Sequence, residues 1–342
     1  MVKTSNFYHV LTLLMVFLFA VSVFAQDVQE QYNQKLKEAN DVVTKMRSPD
    51  ITKTEYDELN AKYLSLQEEL KKLKQVLESD VEYTKKINDS KIAFNDGNTA
   101  YKKGQYESAI SFYQKAIDLN SNNPKAYYGE GLALTKLRRY EEAIGAFEKA
   151  VELSPSYDEA YAAMGSTYDD IGKLDEAIAS YQKAVEINPT SKTSIYNLGG
   201  VYKKAKDNRN AIKYFQLATQ VDPEYYRAFS SLGTAYFDDG QVDNAIMAFQ
   251  NALALKPDYV ESSVRLAMAY NNIGKHEDAL HAAQECLKKP GRMGGFANYE
   301  AGMALKNLGR TNEAIAYFEQ ASQDRQWRQP AQYEIDLLKK KQ

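Results

Sequence analysis

"YAAMGSTYDDIGKLDEAIASYQKAVEINP", Tyr161 to Pro189, is one copy of a unit that the chain repeats. Its Ala177 returns as Ala109, Ala143, Ala211, Ala245 and Ala279, a step of 34 residues each time, and as Ala314 after 35. A second small position follows in step: Ala116, Ala150, Ala184, Ala218, Ala252, Cys286 and Ala321. Between the two lies an aromatic: Tyr113, Phe147, Tyr181, Phe215 and Phe249, then Ala283, then Phe318. Glycine stands earlier in the unit at Gly97, Gly131, Gly165, Gly199 and Gly233, gives way to Ala267, and returns at Gly302. Proline closes the middle units at Pro155, Pro189, Pro223 and Pro257. A fixed period of this length marks a stacked array of supersecondary units, none able to bury its apolar face alone.

The residue types explain themselves. Gly165 and Ala177 are small so that two helices can approach closely. Tyr181 is expected to fill the gap between one unit and the next. Gly172, in register with Gly104, Gly240, Gly274 and Gly309, suits a tight interhelical turn. Asp175 and Glu176 complement the dipole at the start of a second helix, and Pro189 stops it.

On these residues the chain resembles the tetratricopeptide repeat family. The resemblance spans seven units, residues 90–327, and implies an all-α solenoid: two antiparallel helices per unit, stacked as a right-handed superhelix with a concave groove. It also implies that first helices face the groove and that a protein or peptide partner binds there. The matching positions are Phe94, Asn98, Tyr101 and Lys102 in the first unit, and Tyr128, Thr135 and Lys136 in the second. Asp169 and Asp170 follow in the third, Tyr196, Lys203 and Lys204 in the fourth. Phe237 and Asp238, then Asn271 and Asn272, then Tyr299 complete the set. Some family members clamp a peptide carboxylate with Lys and Asn at set positions. Here Phe94, Asn98 and Gly129 break that pattern, so chaperone-tail binding is not assigned.

Ahead of the array, residues 26–89 read as a coiled-coil segment. Tyr56, Leu59, Tyr63, Leu66, Leu70, Leu73 and Leu77 form an unbroken a/d seam. Thr52 and Glu55 make a capping box. Glu69 and Lys74 take g and e positions. An earlier helix, about Val28 to Met46, carries Tyr32, Leu36, Ala39, Val43 and Met46 as its own stripe and breaks at Pro49. The seam is covered either by this helix, as an intrachain hairpin, or by a second copy in a homo-oligomer.

Residues 1–25 read as a signal peptide: Lys3, an apolar run from Val10, and a Val23-Phe24-Ala25 end. The run is short for a membrane span, and the expected product is exported, periplasmic or secreted, with no stable span after cleavage. An uncleaved membrane anchor is the alternative. The layout of signal, coiled coil and repeats is similar to that of periplasmic cell-division coordinators associated with the Tol system, which implies a role in the envelope. Residues 328–342 read as a capping helix with Tyr333, Leu337 and Leu338 on its apolar side.

No chemistry-bearing motif stands out, and the expectation is no enzyme, cofactor or metal. The stretch "HEDALHAAQECLKKPGRMGG", His276 to Gly295, holds two of the three histidines and the sole cysteine. The two histidines are five apart and diverge around a helix, whereas a zinc helix needs four. Cys286 falls at a small core position and reads as a buried hydrophobe. With 43 basic against 46 acidic residues, no broad basic surface for nucleic acid is expected. Abundant tyrosine, 26 residues, raises an alternative, a polysaccharide ligand, although Tyr168, Tyr202, Tyr236 and Tyr270 fall at repeat core positions. At "PGRMGG", Pro290 to Gly295, one extra residue and three glycines interrupt the period. Ala283 leaves the aromatic slot empty just before it, and a loosened joint is expected.

Overall fold

The computed structural model describes residues 27–340, except 29, 40, 44 and 47–50. The expected leader and the break at Pro49 lie outside the described residues. The described secondary structure is entirely helical. The chain divides into two units, residues 1–103 with 111–122, and residues 104–110 with 123–342.

In the first unit, helical residues within 27–46 form α1, and Lys53–Lys102 form α2. The capping box starts α2: the Glu55 amide donates to Thr52 Oγ1 at 3.3 Å, and the Thr52 amide donates to Glu55 Oε2 at 2.9 Å. From there α2 runs through residue 90 without a break, so the seam and the first repeat helix share one rod of about 75 Å. Ala39 and Val42 of α1 are buried against Leu66 and Leu70, flanked by Tyr32, Met46, Leu59 and Tyr63. Lys35 pairs with Glu69 at 2.9 Å, and Lys62 with Glu38 at 2.8 Å. Thus the middle of the leucine seam is covered by the chain's own α1. Among the described residues Lys74 pairs only along its own helix, with Glu78 at 3.9 Å. Further on, the end of α2 meets residues 111–119 of α3 (Tyr106–Leu119), where the buried Ser90 hydroxyl donates to the Ala116 carbonyl at 2.7 Å.

The second unit is built from helix pairs: α4 (Pro124–Lys136) with α5 (Tyr140–Leu153), and α6 (Asp158–Asp170) with α7 (Leu174–Ile187). They continue as α8 (Lys192–Lys204) with α9 (Asn208–Val221), and α10 (Tyr226–Asp238) with α11 (Val242–Leu255). The last are α12 (Val260–Asn272) with α13 (His276–Leu287), and α14 (Gly294–Asn307) with α15 (Thr311–Ala321), followed by α16 (Arg328–Lys340). Each second helix packs on the next first helix. First helices also touch the first helix of the next pair, α4 with α6 and so on to α12 with α14. That added contact draws one side of the stack together and puts the first helices on its inner side.

Tight turns join the two helices of a pair. After α6, the Lys173 amide donates to the Tyr168 carbonyl and the Gly172 amide to the Asp169 carbonyl, a Schellman closure with Gly172 at φ 77°. At the same place after α4 and α8, Arg138 (φ 60°) and Lys206 (φ 62°) adopt this left-handed conformation without being glycine.

The repeat aromatic serves two contacts. Tyr181 shares a buried cluster with Leu198, Val201 and Tyr202 of the next first helix, and its ring also lies over the glycine of its own unit. A Cβ built at Gly165 would stand 2.9 Å from the Tyr181 ring, and one at Gly131 would stand 2.5 Å from Phe147. Gly199 meets Phe215, Gly233 meets Phe249 and Gly302 meets Phe318 in the same way. In the sixth unit both partners change together: Ala267 and Ala283 are both fully buried. The links between units are polar as well as apolar. Gln182, Gln216 and Gln250 donate to the hydroxyls of Tyr202, Tyr236 and Tyr270 on the next first helix, at 2.7, 2.6 and 2.9 Å.

On α16 the apolar side is corrected. Ala331, Ile335 and Leu338 are buried, with Glu334, whereas Tyr333 is 63% exposed. Glu334 lies on that side because it pairs with Lys306 of α14.

Candidate functional site

The inner side of the second unit is the one broad surface that side chains of successive first helices share. Its aromatics are packing groups first. Tyr128 lies between Phe147 and Tyr157, with ring centroids 5.9 and 5.0 Å away. Tyr196 sits in the same way between Phe215 and Tyr225, and Tyr299 between Phe318 and Trp327. Each trio joins a unit to the next. The Tyr196 hydroxyl also lies 3.1 Å from Ser231 Oγ.

Several polar groups expected to meet a partner meet each other instead. Lys204 reaches both Asp169 oxygens at 2.7 Å, and Lys203 lies 3.9 Å from Asp238. Burial lowers the pKa of the Lys203 ammonium; Asp238 works against that shift, Arg265 with it, and Glu261 against it. Thr135 donates to the Gly131 carbonyl and stands 3.4 Å from Thr167 Oγ1. The Asn271 amide donates to Glu300 Oε2 at 2.8 Å and to the Glu300 carbonyl at 2.9 Å. Glu300 is buried, and that burial pushes its carboxyl up to about 7, with the Asn271 hydrogen bond pulling the other way. Phe237 packs against the core. Lys136, Asp170 and Asn272 are exposed and make no hydrogen bond or ion pair among the described residues.

Phe94, Asn98, Tyr101 and Lys102 belong to the first unit. There Phe94 lies 5.9 Å from the Tyr113 ring, and Asn98 Oδ1 accepts from the Tyr113 hydroxyl at 2.8 Å. Tyr101 is half-buried and Lys102 exposed.

The suggestive residues of the sixth unit are placed as follows. His276 Nδ1 lies 3.3 Å from Asn271 Oδ1, and the exposed His281 lies 4.0 Å from Glu285. Cys286 is fully buried among Val264 and Ala297, and burial pushes its thiol up to about 11. Among the described residues no group of three or more His, Cys, Asp and Glu side chains could hold a metal ion.

Sequence reasoning missed one feature. At the C-terminal end of the stack, a cavity of about 530 Å³ is lined by Arg265, Arg292, Met293, Phe296, Gln326 and Trp327. Five of the six come from the turns before α14 and α16 or from the start of α14, outside the positions that the period singles out.

Family models of the tetratricopeptide repeat match residues 94–158 and 196–260, residues 146–179, and residues 168–206. Tetratricopeptide repeats are present in this chain. A model of the TT21 fifth ARM repeats domain, matching residues 232–337, covers the C-terminal part of the same TPR stack. Solved structures agree on the fold. The C-terminal part of a TPR repeat-containing protein from Cytophaga hutchinsonii is 19% identical, with a TM-score of 0.59, over 71% of this chain and 99% of that one. A tetratricopeptide repeat protein from Parabacteroides merdae is 16% identical, with a TM-score of 0.52, over 73% of this chain and 99% of that one. None of the curated proteins matches the sequence. A TPR stack is the architecture of a protein-interaction scaffold rather than of a typical enzyme.

Proposed function

We propose that the chain is an exported scaffold that binds a protein or peptide on the inner side of its TPR stack. One observation carries the reading. Lys136, Asp170, Lys204, Asp238 and Asn272 recur at one register position along that side, and Lys136, Asp170 and Asn272 have no partner in the chain among the described residues. A row of exposed polar groups on a rigid, curved scaffold suits an extended peptide. The test is capture of a partner by the immobilised chain from an extract of the cells that make it. The double variant Lys136→Glu with Asp170→Lys removes no packing group. A partner retained by the parent and lost by this variant supports the reading; equal capture by both moves the contact off this surface.

The apolar run Val10–Ala25 supports export, and with the layout of the chain it supports a role in envelope assembly or maintenance. No helix among the described residues is long and apolar enough to cross a membrane. A mature chain beginning at Gln26, read by mass spectrometry, is the expected product; a full-length chain retained in membranes would replace this reading with an anchored adaptor. Self-association through α2 is a further part of the proposal. Beyond the stretch that α1 covers, Val81 and Tyr83 remain exposed at 69% and 56%. Sedimentation of the full chain tests it, a strict monomer being the contrary result.

A further inference from the structure

The cavity at the C-terminal end of the stack exists because of the irregularity in the repeat. The extra residue in "PGRMGG" forms a 3-10 turn, Gly291–Met293, closed by the Met293 amide donating to the Pro290 carbonyl at 2.8 Å. This turn brings Arg292 and Met293 to the cavity wall. Gly295 then admits the turn between α15 and α16, since a Cβ there would stand 2.4 Å from Asp324 Cβ. The close approach lets Trp327 stack on Phe296, with centroids 4.7 Å apart and planes 5° apart. Met293, Phe296 and Trp327 are half-buried and form an apolar wall.

Across from this wall the charge is unbalanced. Three ammonium groups on the inner side have carboxylates: Lys204 has Asp169, Lys203 has Asp238 and Lys306 has Glu334. Arg265 is half-buried and has no carboxylate within ion-pair distance among the described residues. Arg292 lies 3.7 Å from Glu261, but its side chain is 82% exposed and can turn toward the cavity. A guanidinium fork matches a carboxylate in two parallel hydrogen bonds, more strongly where water is partly excluded. Thioether and ring faces beside it suit an aromatic side chain.

We propose that this cavity takes a side-chain carboxylate of an acidic peptide segment on Arg265 and Arg292, with the peptide's adjacent aromatic residue against Met293, Phe296 and Trp327. The proposal rests on the reading of the stack as a peptide-binding scaffold and names the chemistry of one part of it.

Trp327 is the only tryptophan in the chain, so its emission reports the cavity directly. The full chain is titrated with an end-blocked (Asp-Phe)3 peptide, with (Asn-Phe)3 and with (Lys-Phe)3. The expected result is a saturable change in emission for the acidic peptide and at least a tenfold weaker response to the amide peptide. R265E should weaken the acidic peptide at least tenfold and take the basic one in its place. R265Q, a milder change, should weaken the acidic peptide while keeping the parent's melting curve, and K149E, on the exposed face of α5 and outside both surfaces, should bind as the parent does. Equal binding of (Asp-Phe)3 and (Asn-Phe)3, unchanged binding by both Arg265 variants, or no emission change at saturating peptide overturns the proposal. The two readings fail separately. A captured partner lost from the Lys136→Glu, Asp170→Lys chain but kept by R265Q leaves the scaffold standing and removes this site. Peptide binding at Trp327 with capture unaffected by the double variant keeps the site and removes the wider surface.

Discussion

At the scale of residues, the sixth unit is a compensated exception. Six aromatic rings lie on six glycines, each too close for a Cβ, and where the ring is absent the glycine is too. Ala283→Phe alone should therefore force a ring onto the Ala267 methyl and cost about 1–3 kcal/mol as overpacking. Ala267→Gly alone should cost about 1 kcal/mol of helix propensity. The double variant should recover much of both losses, a coupling visible in urea unfolding midpoints; strictly additive effects would count against the pairing. Glu300 offers a second test. Its folded pKa of about 7 lies above the ordinary 4.5, so the stability it contributes is complete below about pH 4.5 and is lost as pH rises through about 7. A shift of that size corresponds to roughly 3 kcal/mol. Glu300→Gln keeps an acceptor for Asn271 and has no charge to bury. It should raise the melting temperature at pH 8 and flatten the pH dependence between pH 5 and 8; an unchanged profile would place the dependence elsewhere.

At the scale of elements, the turns separate what the sequence declares from what it hides. Glycine at 104, 172, 240, 274 and 309 declared the left-handed turn, and the structure gives it φ between 74° and 80° at each. Arg138 and Lys206 hold the same conformation silently. For such residues it costs about 1–2 kcal/mol, offset in part by the greater freedom that glycine gains when unfolded. Arg138→Gly should thus raise stability by roughly 0.5–1 kcal/mol, read as a higher melting temperature, and a lower one would show that the arginine side chain has a structural role. The pairs of the array were legible because small and large residues alternate at a fixed period. The cover of the leucine seam was not, since Leu66 and Leu70 look alike to α1 and to a second copy. On α16 the tyrosine drew attention away from Ile335, and only the ion pair with Lys306 explains why Glu334 faces inward. The candidate site was the least legible. Position in the repeat located Asp169 and Lys204 on the inner side, but not that they bind each other, and it could not point to Arg292 or Trp327 in the turns.

At the scale of the whole molecule, a stack of similar units needs an end. Helix α16 closes the C-terminal core cluster with Ala331, Ile335 and Leu338 against a group that includes Leu305, Phe318 and Ala321. Deleting the chain from Arg328 onward should expose that group, cost about 3–6 kcal/mol of buried apolar surface and promote self-association by the bared face. Urea unfolding and size-exclusion chromatography would show both effects; a deletion that stays monomeric with an unchanged midpoint would mean that α16 is dispensable as a cap. The matched pairs inside the units bear on how such a chain can be rearranged. A crossover that joined α12 to the second helix of another unit would set a ring on the Ala267 methyl. The reciprocal product would leave a glycine helix facing Ala283 with no ring above it, a void. Whole units can therefore be exchanged, duplicated or lost at their boundaries, but the sixth can be cut only between units, never through its middle.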